Sequence, residues 1–212
     1  MFGKRVNKVM MAYIYWDLVI NSAWGLLAPV FAIFLLQRIA MGDVAEGAKI
    51  AGFATLCYWI TKSLVQIPIG NYLDKNHGEI DDFWFYAIGT FITGLIPFGY
   101  LMAYLPWHIY ALQVIHAIGM SMVIPSSYAI FIRHVDKGRE AYESGLDNTL
   151  MGLGVGIAGA VGGIIAGYGG FGILFFVTGV FTLGSILIIV PLRPYMFPKV
   201  PRHIHKLPHV ER

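Results

Sequence analysis

The chain has 212 residues, of which 57% are hydrophobic and 13% are charged, and its 15 Lys and Arg outnumber 12 Asp and Glu. A water-soluble core of this size cannot bury so large an apolar share, and a net charge of +3 is too small to indicate a nucleic-acid partner. The composition therefore excludes a soluble domain and predicts an integral membrane protein in contact with the lipid bilayer.

Six apolar stretches are long enough to cross about 30 Å of hydrocarbon as helices, since each needs about 20 residues. None shows the alternation of a lipid-facing β-strand, so we predict an all-α fold of six transmembrane helices within residues 1–192. The predicted helices cover residues 9–36, 49–73, 83–104, 107–132, 142–167 and 171–192. Residues 193–212 form a basic, proline-rich tail in which we expect no regular structure.

The distribution of Lys and Arg predicts how these helices are oriented. The N-terminal segment, the connections after helices two and four, and the tail carry most of the bases, whereas the opposite side carries Arg38 and Lys49. Because cytoplasmic segments are enriched in Lys and Arg, we expect both termini in the cytoplasm and the helices in the cell membrane. The connections at 105–106 and 168–170 are so short that the helices they join must be antiparallel neighbours.

The first predicted helix carries polar side chains at membrane depth. Asp17, Asn21 and Trp24 are spaced i, i+4 and i+7, which places them on one helical face. Ionisable residues inside a span are costly and usually functional, so we expect this face to line a cavity. Asp17 then either binds a cation or a proton there, or forms a static pair with Lys62 or another helix; the sequence does not choose between these alternatives.

Two further helices carry polar side chains that we assign to the same cavity. On helix two, Gln66 follows Lys62 by four residues, and Lys62 has the same two alternatives as Asp17 or attracts an anionic substrate. On helix four, Gln113 and His116 lie three residues apart on one face. His116 either relays protons, because imidazole titrates near physiological pH, or packs as a structural histidine.

The connection after helix two carries a recognisable signature. It reads Gly70-Asn-Tyr-Leu-Asp74-Lys75-Asn-His77-Gly78 and resembles the pattern Gly-x-Leu-Ala-Asp-Arg-x-Gly-Arg-Lys between the second and third helices of the major facilitator superfamily of transporters. The first Gly, the Asp and the following base coincide. His77 stands where the family has its second Gly, and Gly78 comes one position later.

The fourth helix and the connection after it extend this resemblance. Gly119 and Pro125 are similar to the Gly and Pro of the family's fourth-helix motif, but Ile115 stands where that motif has its arginine. The proton-coupling role of that arginine therefore does not carry over to this chain. The next connection, which contains Arg133 and Arg139, resembles the charged loop that leads into the fifth helix of family members.

The fifth predicted helix is rich in glycine. It resembles the family's motif Gly-x-x-x-Gly-Pro-x-x-Gly-Gly, with Ala158 and Gly159 in place of Gly-Pro. Its Gly-x-x-x-Gly spacings predict a smooth face on which another backbone approaches closely. We assign this helix-packing face to Gly152, Gly156, Gly159 and Gly163, which either serve packing alone or let the helix slide against its neighbour during transport.

The resemblance also implies a conformational gate. In the family the second helix of one half packs against the fifth helix of the other half. Asp74 would then accept hydrogen bonds at the N-terminus of that helix, near residues 142–145 of a partner subunit, with Arg133 as a nearby counter-charge. We assign the gate to Gly70, Asp74, Lys75, Arg133 and Arg139.

Family members consist of two six-helix halves related by an axis along the membrane normal, with the substrate site near the midplane. This chain resembles one such half, which implies secondary transport of a small solute, with or without a proton, by alternating access in a homodimer. A heterodimer with another six-helix chain and a non-transporting structural or regulatory subunit remain as alternatives. We predict no cofactor, no metal and no enzymatic activity, because the sequence has no phosphate-binding loop, His-Glu-x-x-His motif or cysteine pair.

Overall fold

The computed structural model describes residues 6–76 and 79–190, and within these ranges every regular element is helical. The elements are α1 (Lys8–Leu27), α2 (Phe31–Phe34), a π-helical turn (Leu35–Ile39), α3 (Val44–Asn76), α4 (Glu79–Leu101), α5 (Pro106–His134) and α6 (Glu140–Ile189). Five helical stretches in the described part are long and apolar enough to cross a membrane, α1 through the π-helical turn counting as one. The all-α membrane architecture is thus confirmed. The predicted tail, His77 and Gly78 lie outside the described residues.

The first span is interrupted where the sequence predicts a continuous helix over 9–36. Helix α1 ends at Leu27, and the chain resumes helical geometry at Phe31 before it passes into the π-helical turn. The break contains Pro29, which has no backbone N–H and therefore cannot continue the ladder of helical hydrogen bonds. The Val30 amide instead bonds to the Leu27 carbonyl at 3.0 Å in a tighter turn.

Helix α6 reverses direction at Gly170. This residue has φ 78° and ψ 169°, a conformation that glycine adopts far more readily than other residues. Leu146 and Ile189 belong to the same hydrophobic cluster, whereas a straight helix would hold them roughly 64 Å apart. Residues 140–169 and 171–189 are therefore two antiparallel arms, here called the first and second arm of α6.

Glycines bring the first arm of α6 against α1. A β-carbon placed on Gly162 would collide with the backbone of Leu26, and one on Gly154 would collide with the side chains of Leu18 and Ser22. On the other side of the contact, a β-carbon on Gly25 would lie 3.0 Å from the Val155 α-carbon. The two backbones approach so closely because these positions have no side chain.

This contact differs from the glycine face that the sequence predicts. β-Carbons on Gly152, Gly156 and Gly163 would meet nothing within 4 Å, and one on Gly159 would lie 3.7 Å from the Pro29 ring. The packed face follows Gly154, Ala158 and Gly162, which are spaced four residues apart in a register shifted from the predicted one. Whether Gly152, Gly156, Gly159 and Gly163 also let the helix slide against a neighbour during transport stays a prediction.

The neighbours Gly162 and Gly163 give a direct test of this packing. We expect Gly162→Ala to lower the thermal unfolding temperature of the detergent-solubilised protein, because overpacking a tight contact costs on the order of 1–3 kcal/mol. Gly163→Ala is the matched control and should be neutral or slightly stabilising, since alanine favours helix over glycine by about 1 kcal/mol. Equal losses in the two variants would contradict the assignment of the packed face.

Candidate functional site

A cavity of about 440 Å³ lies between α1, α3, α5 and the first arm of α6. Its polar and ionisable wall includes Asp17, Asn21, Tyr58, His116, Asp147 and Asn148. Within a bilayer such groups have no bulk water to solvate them, so their gathering in one space marks it as the candidate functional site. We call it the inner cavity.

Helix α1 contributes three predicted site residues to the inner cavity. Asp17, Asn21 and Trp24 all line it, as their common helical face requires. The Asn21 side-chain amide donates to Asp17 Oδ1 at 2.9 Å and to the Asp17 carbonyl at 2.9 Å. The amide therefore fixes the orientation of the carboxylate within the wall.

A second carboxylate, Asp147, lines the same cavity from the first arm of α6. Its Oδ1 is buried and accepts no hydrogen bond from any side chain or backbone group that the structure describes. It is close enough to Asp17 for the two negative charges to interact. Sequence reasoning left Asp147 out of the site because it lies near a helix end, although an aspartate inside a predicted span was the available signal.

Three rings separate the inner cavity from a second one. The Trp24 and His116 rings stack with centroids 4.1 Å apart and planes 10° apart, and the Tyr58 ring lies 5.1 Å from His116. All three line the inner cavity and also an outer cavity of about 360 Å³. The rings thus form a partition between two spaces, and we call them the ring partition.

The outer cavity has a mostly apolar wall. It includes Leu27, Phe31, Thr55 and Trp59. Gln113, which the sequence also predicts as a cavity residue, lines it from α5. The Gln113 amide donates to the Tyr100 hydroxyl at 3.3 Å. Gln113 and His116 therefore share a face of α5, as predicted, but His116 alone of the two reaches the inner cavity.

Helix α3 does not bring its predicted residues into either cavity. Among the ion pairs of the described residues there is none between Asp17 and Lys62, so the static pair that the sequence offered is not found. The Lys62 ammonium instead lies 4.6 Å from the ring centroid of Trp59 and 5.6 Å from that of Tyr58. Gln66 is half-buried on the same helix and lines neither space.

The predicted gate residues are arranged differently from the expectation. Arg133 donates to the fully buried Asp82 carboxylate at the start of α4, so its partner is Asp82 and not Asp74. Asp74 and Lys75 are exposed at the end of α3, and a β-carbon on Gly70 would meet nothing within 4 Å. Within the chain Arg133 thus pairs with Asp82, while its role as a nearby counter-charge and a contact of Asp74 with a partner subunit both stay predictions.

Polar contacts connect the start of α1 with the charged connection between α5 and α6. The Asn7 side chain donates to the His134 carbonyl at 2.6 Å and to Asp136 Oδ1 at 3.2 Å. Asp136 also lies 3.9 Å from the Arg139 guanidinium, and its amide donates to Glu143 Oε2 at 3.2 Å. The start of α1, the end of α5 and the start of α6 are therefore held together at one end of the helices.

Comparison with protein families finds one match that covers most of the chain. Residues 18–209 match the Major Facilitator Superfamily. The matched range includes Asp147 of the inner cavity and begins one residue after Asp17. A search of curated proteins found no match.

The ion pair between the exposed Arg133 and the buried Asp82 makes a testable contribution to stability. We expect Arg133→Gln to lower the free energy of unfolding by about 1–3 kcal/mol, because it leaves the buried Asp82 carboxylate without its donor. Adding Asp82→Asn should recover part of this loss, which a double-mutant cycle on unfolding in detergent would measure. Arg139→Gln, which disturbs a longer and more exposed pair, is the control and should cost less. Strict additivity of the two substitutions would show that the pair is not coupled.

Proposed function

The chain belongs to the major facilitator superfamily, and on this basis we propose that it moves a small solute across the cell membrane by secondary transport with alternating access. Transport across a membrane is what membership of this family implies. The observation that carries the proposal is the division of the interior into inner and outer cavities by the ring partition. Alternating access requires a central site that opens to one side at a time.

The order of residues along α1 supports this arrangement. Tyr13 and Asp17 line the inner cavity, Trp24 lies in the partition, and Phe31 beyond the helix lines the outer cavity. The two spaces therefore follow one another along the direction of the first span. A movement that displaces the stacked rings would connect the two cavities, and the ionisable Asp17 in the inner cavity provides a group through which a proton would be coupled.

We further propose six spans per chain, with both termini in the cytoplasm. The first arm of α6 has about 30 residues and the second about 19, so each is roughly long enough to cross the hydrocarbon at 1.5 Å per residue. If both arms cross, the chain ends return to the side on which it starts, and the Lys and Arg distribution assigns that side to the cytoplasm.

A second copy of the chain is proposed to supply the opposite wall of the transport path. In the family, two six-helix halves face each other across the substrate site, and the six spans proposed above for this chain would form one such half. The exposure of helix α3 supports this proposal, because just 11% of its most apolar 18-residue stretch is buried within the chain. The exposed Asp74 at the end of α3 would then meet the start of the partner subunit's α6.

Alternating access is testable by cysteine accessibility in proteoliposomes. After Cys57→Ser, Asn148→Cys reports on the inner cavity and Thr55→Cys on the outer one. We expect a membrane-impermeant maleimide to label the first from the cytoplasmic side and the second from the opposite side, because the ring partition separates them. Acidifying one side should shift the two labelling rates in opposite directions.

The control for this experiment is Ile88→Cys, which replaces an exposed apolar side chain of α4. In a bilayer it should react from neither side. Labelling rates that rise and fall together at both reporter positions would contradict alternating access and favour a non-transporting subunit, whereas rates that do not respond to the gradient would contradict proton coupling.

The proposed homodimer is testable by its mass and by fusion. Native mass spectrometry in a mild detergent should show twice the mass of the chain. Two copies joined by a flexible linker should assemble in the same way, because both termini lie on one side of the membrane. A stable monomer that retains the reciprocal labelling response would contradict the homodimer, and a linked pair that fails to assemble would contradict the six-span topology.

A further inference from the structure

The inner cavity has a negative wall. Asp17 and Asp147 both line it, and its wall contains no Lys or Arg among residues 6–76 and 79–190. The nearest base on α3, Lys62, has its ammonium over the rings of Trp59 and Tyr58 and lies outside the wall. A solute with a positive charge would therefore enter a field of favourable sign, whereas an anion would meet two carboxylates.

Aromatic rings make up much of the rest of this wall. They belong to Tyr13, Trp16, Trp24, Tyr58, Tyr128 and Phe131. The electron-rich faces of such rings attract cations, most strongly where water is excluded. The wall thus combines two carboxylates with several rings, which is the combination that recognises an ammonium group bearing apolar substituents.

The size and the donor set of the cavity separate an organic cation from a metal ion. No group of three or more metal-ligating side chains occurs in the portion of the chain with described coordinates. A volume of about 440 Å³ is far larger than an ion needs and lies in the range of about 300–1,000 Å³ that is usual for small-molecule sites.

We propose that the inner cavity binds an organic cation, with its ammonium group between Asp17 and Asp147 and its apolar part against the aromatic wall. Asn21 holds Asp17 Oδ1 in place, and the buried Asp147 Oδ1 has no donor from the described residues, so the second carboxylate is available to the ligand. That this cation is a transported substrate rests on the function proposed above; its binding does not.

Binding is tested separately from transport, with the full-length protein in nanodiscs of phosphatidylcholine, whose zwitterionic headgroups do not retain cations by charge. Benzyltrimethylammonium is titrated by calorimetry, with phenylacetate and phenylacetamide as the anionic and neutral counterparts. We expect saturable binding of benzyltrimethylammonium and weaker or no binding of the other two compounds.

Four variants assign the binding to the cavity. Asp17→Asn and Asp147→Asn should each weaken binding by about tenfold or more, because each removes a charge-assisted contact. Asp147→Glu keeps the charge and should retain most of the affinity. Binding by this variant would show that a substitution at position 147 leaves the protein folded. Asp43→Asn removes an exposed carboxylate outside the cavity, keeps an acceptor for the Glu46 amide, and should bind as the wild type does.

The outcomes separate the two proposals. No saturable binding of benzyltrimethylammonium by the wild type, or unchanged binding by Asp147→Asn, would overturn the organic-cation site. Preferential binding of phenylacetate that Lys62→Gln abolishes would overturn it in favour of an anion site. Carboxylate-dependent binding without any reciprocal change in cysteine labelling would leave the cation site standing and remove the transport function.

Discussion

The close approach of α1 and the first arm of α6 determines the geometry of the whole site. A β-carbon at Gly25, Gly154 or Gly162 would come against the opposing backbone or the side chains next to it. Asp17 precedes Leu18 on one side of this contact, and Asp147 lies two turns before Gly154 on the other. The contact therefore brings two carboxylates from distant parts of the sequence to one cavity wall. Larger side chains would separate the helices and with them the two charges.

Charge and aromatic contacts have separate roles along the length of the helices. At one end, Asp82 with Arg133 and Asn7 with Asp136 connect the ends of four helical segments. Further along, the stacked Trp24 and His116 rings lie between the inner and outer cavities. The polar contacts fix where the helices end, whereas the rings make a contact that depends on two side-chain orientations and is broken by a small rotation of either. Helix ends held by polar contacts beside a separable partition are consistent with the alternating access proposed above.

The sequence predicted the features that follow from local pattern. Hydropathy indicated the helical spans, and helical spacing placed Asp17, Asn21 and Trp24 on one face, where the structure also has them. The details that depend on contacts between distant segments could not be read in this way. The run of glycines from Gly152 to Gly163 satisfies the four-residue spacing in more than one register, and the choice between registers depends on the shape of α1.

The partners of the charged residues were also beyond the sequence. Arg133 had acidic residues on two connections within reach, and only the packing of α4 against α5 selects Asp82. A pair of Lys62 with Asp17 was one of the alternatives that the sequence left open, because both residues lie inside spans. Position within a span carries no information on rotation about the helix axis. The structure turns the Lys62 ammonium toward the rings of its own helix, where cation–π attraction replaces an ion pair.

The interruption at Pro29 gives the first span a mechanical property. Since proline has no amide hydrogen, the Gly25 carbonyl lacks the donor that a continuous helix would supply four residues later. The segment from Phe31 to Ile39 is therefore joined to α1 with one helical hydrogen bond fewer than a continuous helix has, which makes Pro29 the position at which the first span bends most easily. Phe31 on this segment lines the outer cavity. A change in the angle at Pro29 would therefore widen or narrow the outer cavity without moving the part of α1 that carries Asp17.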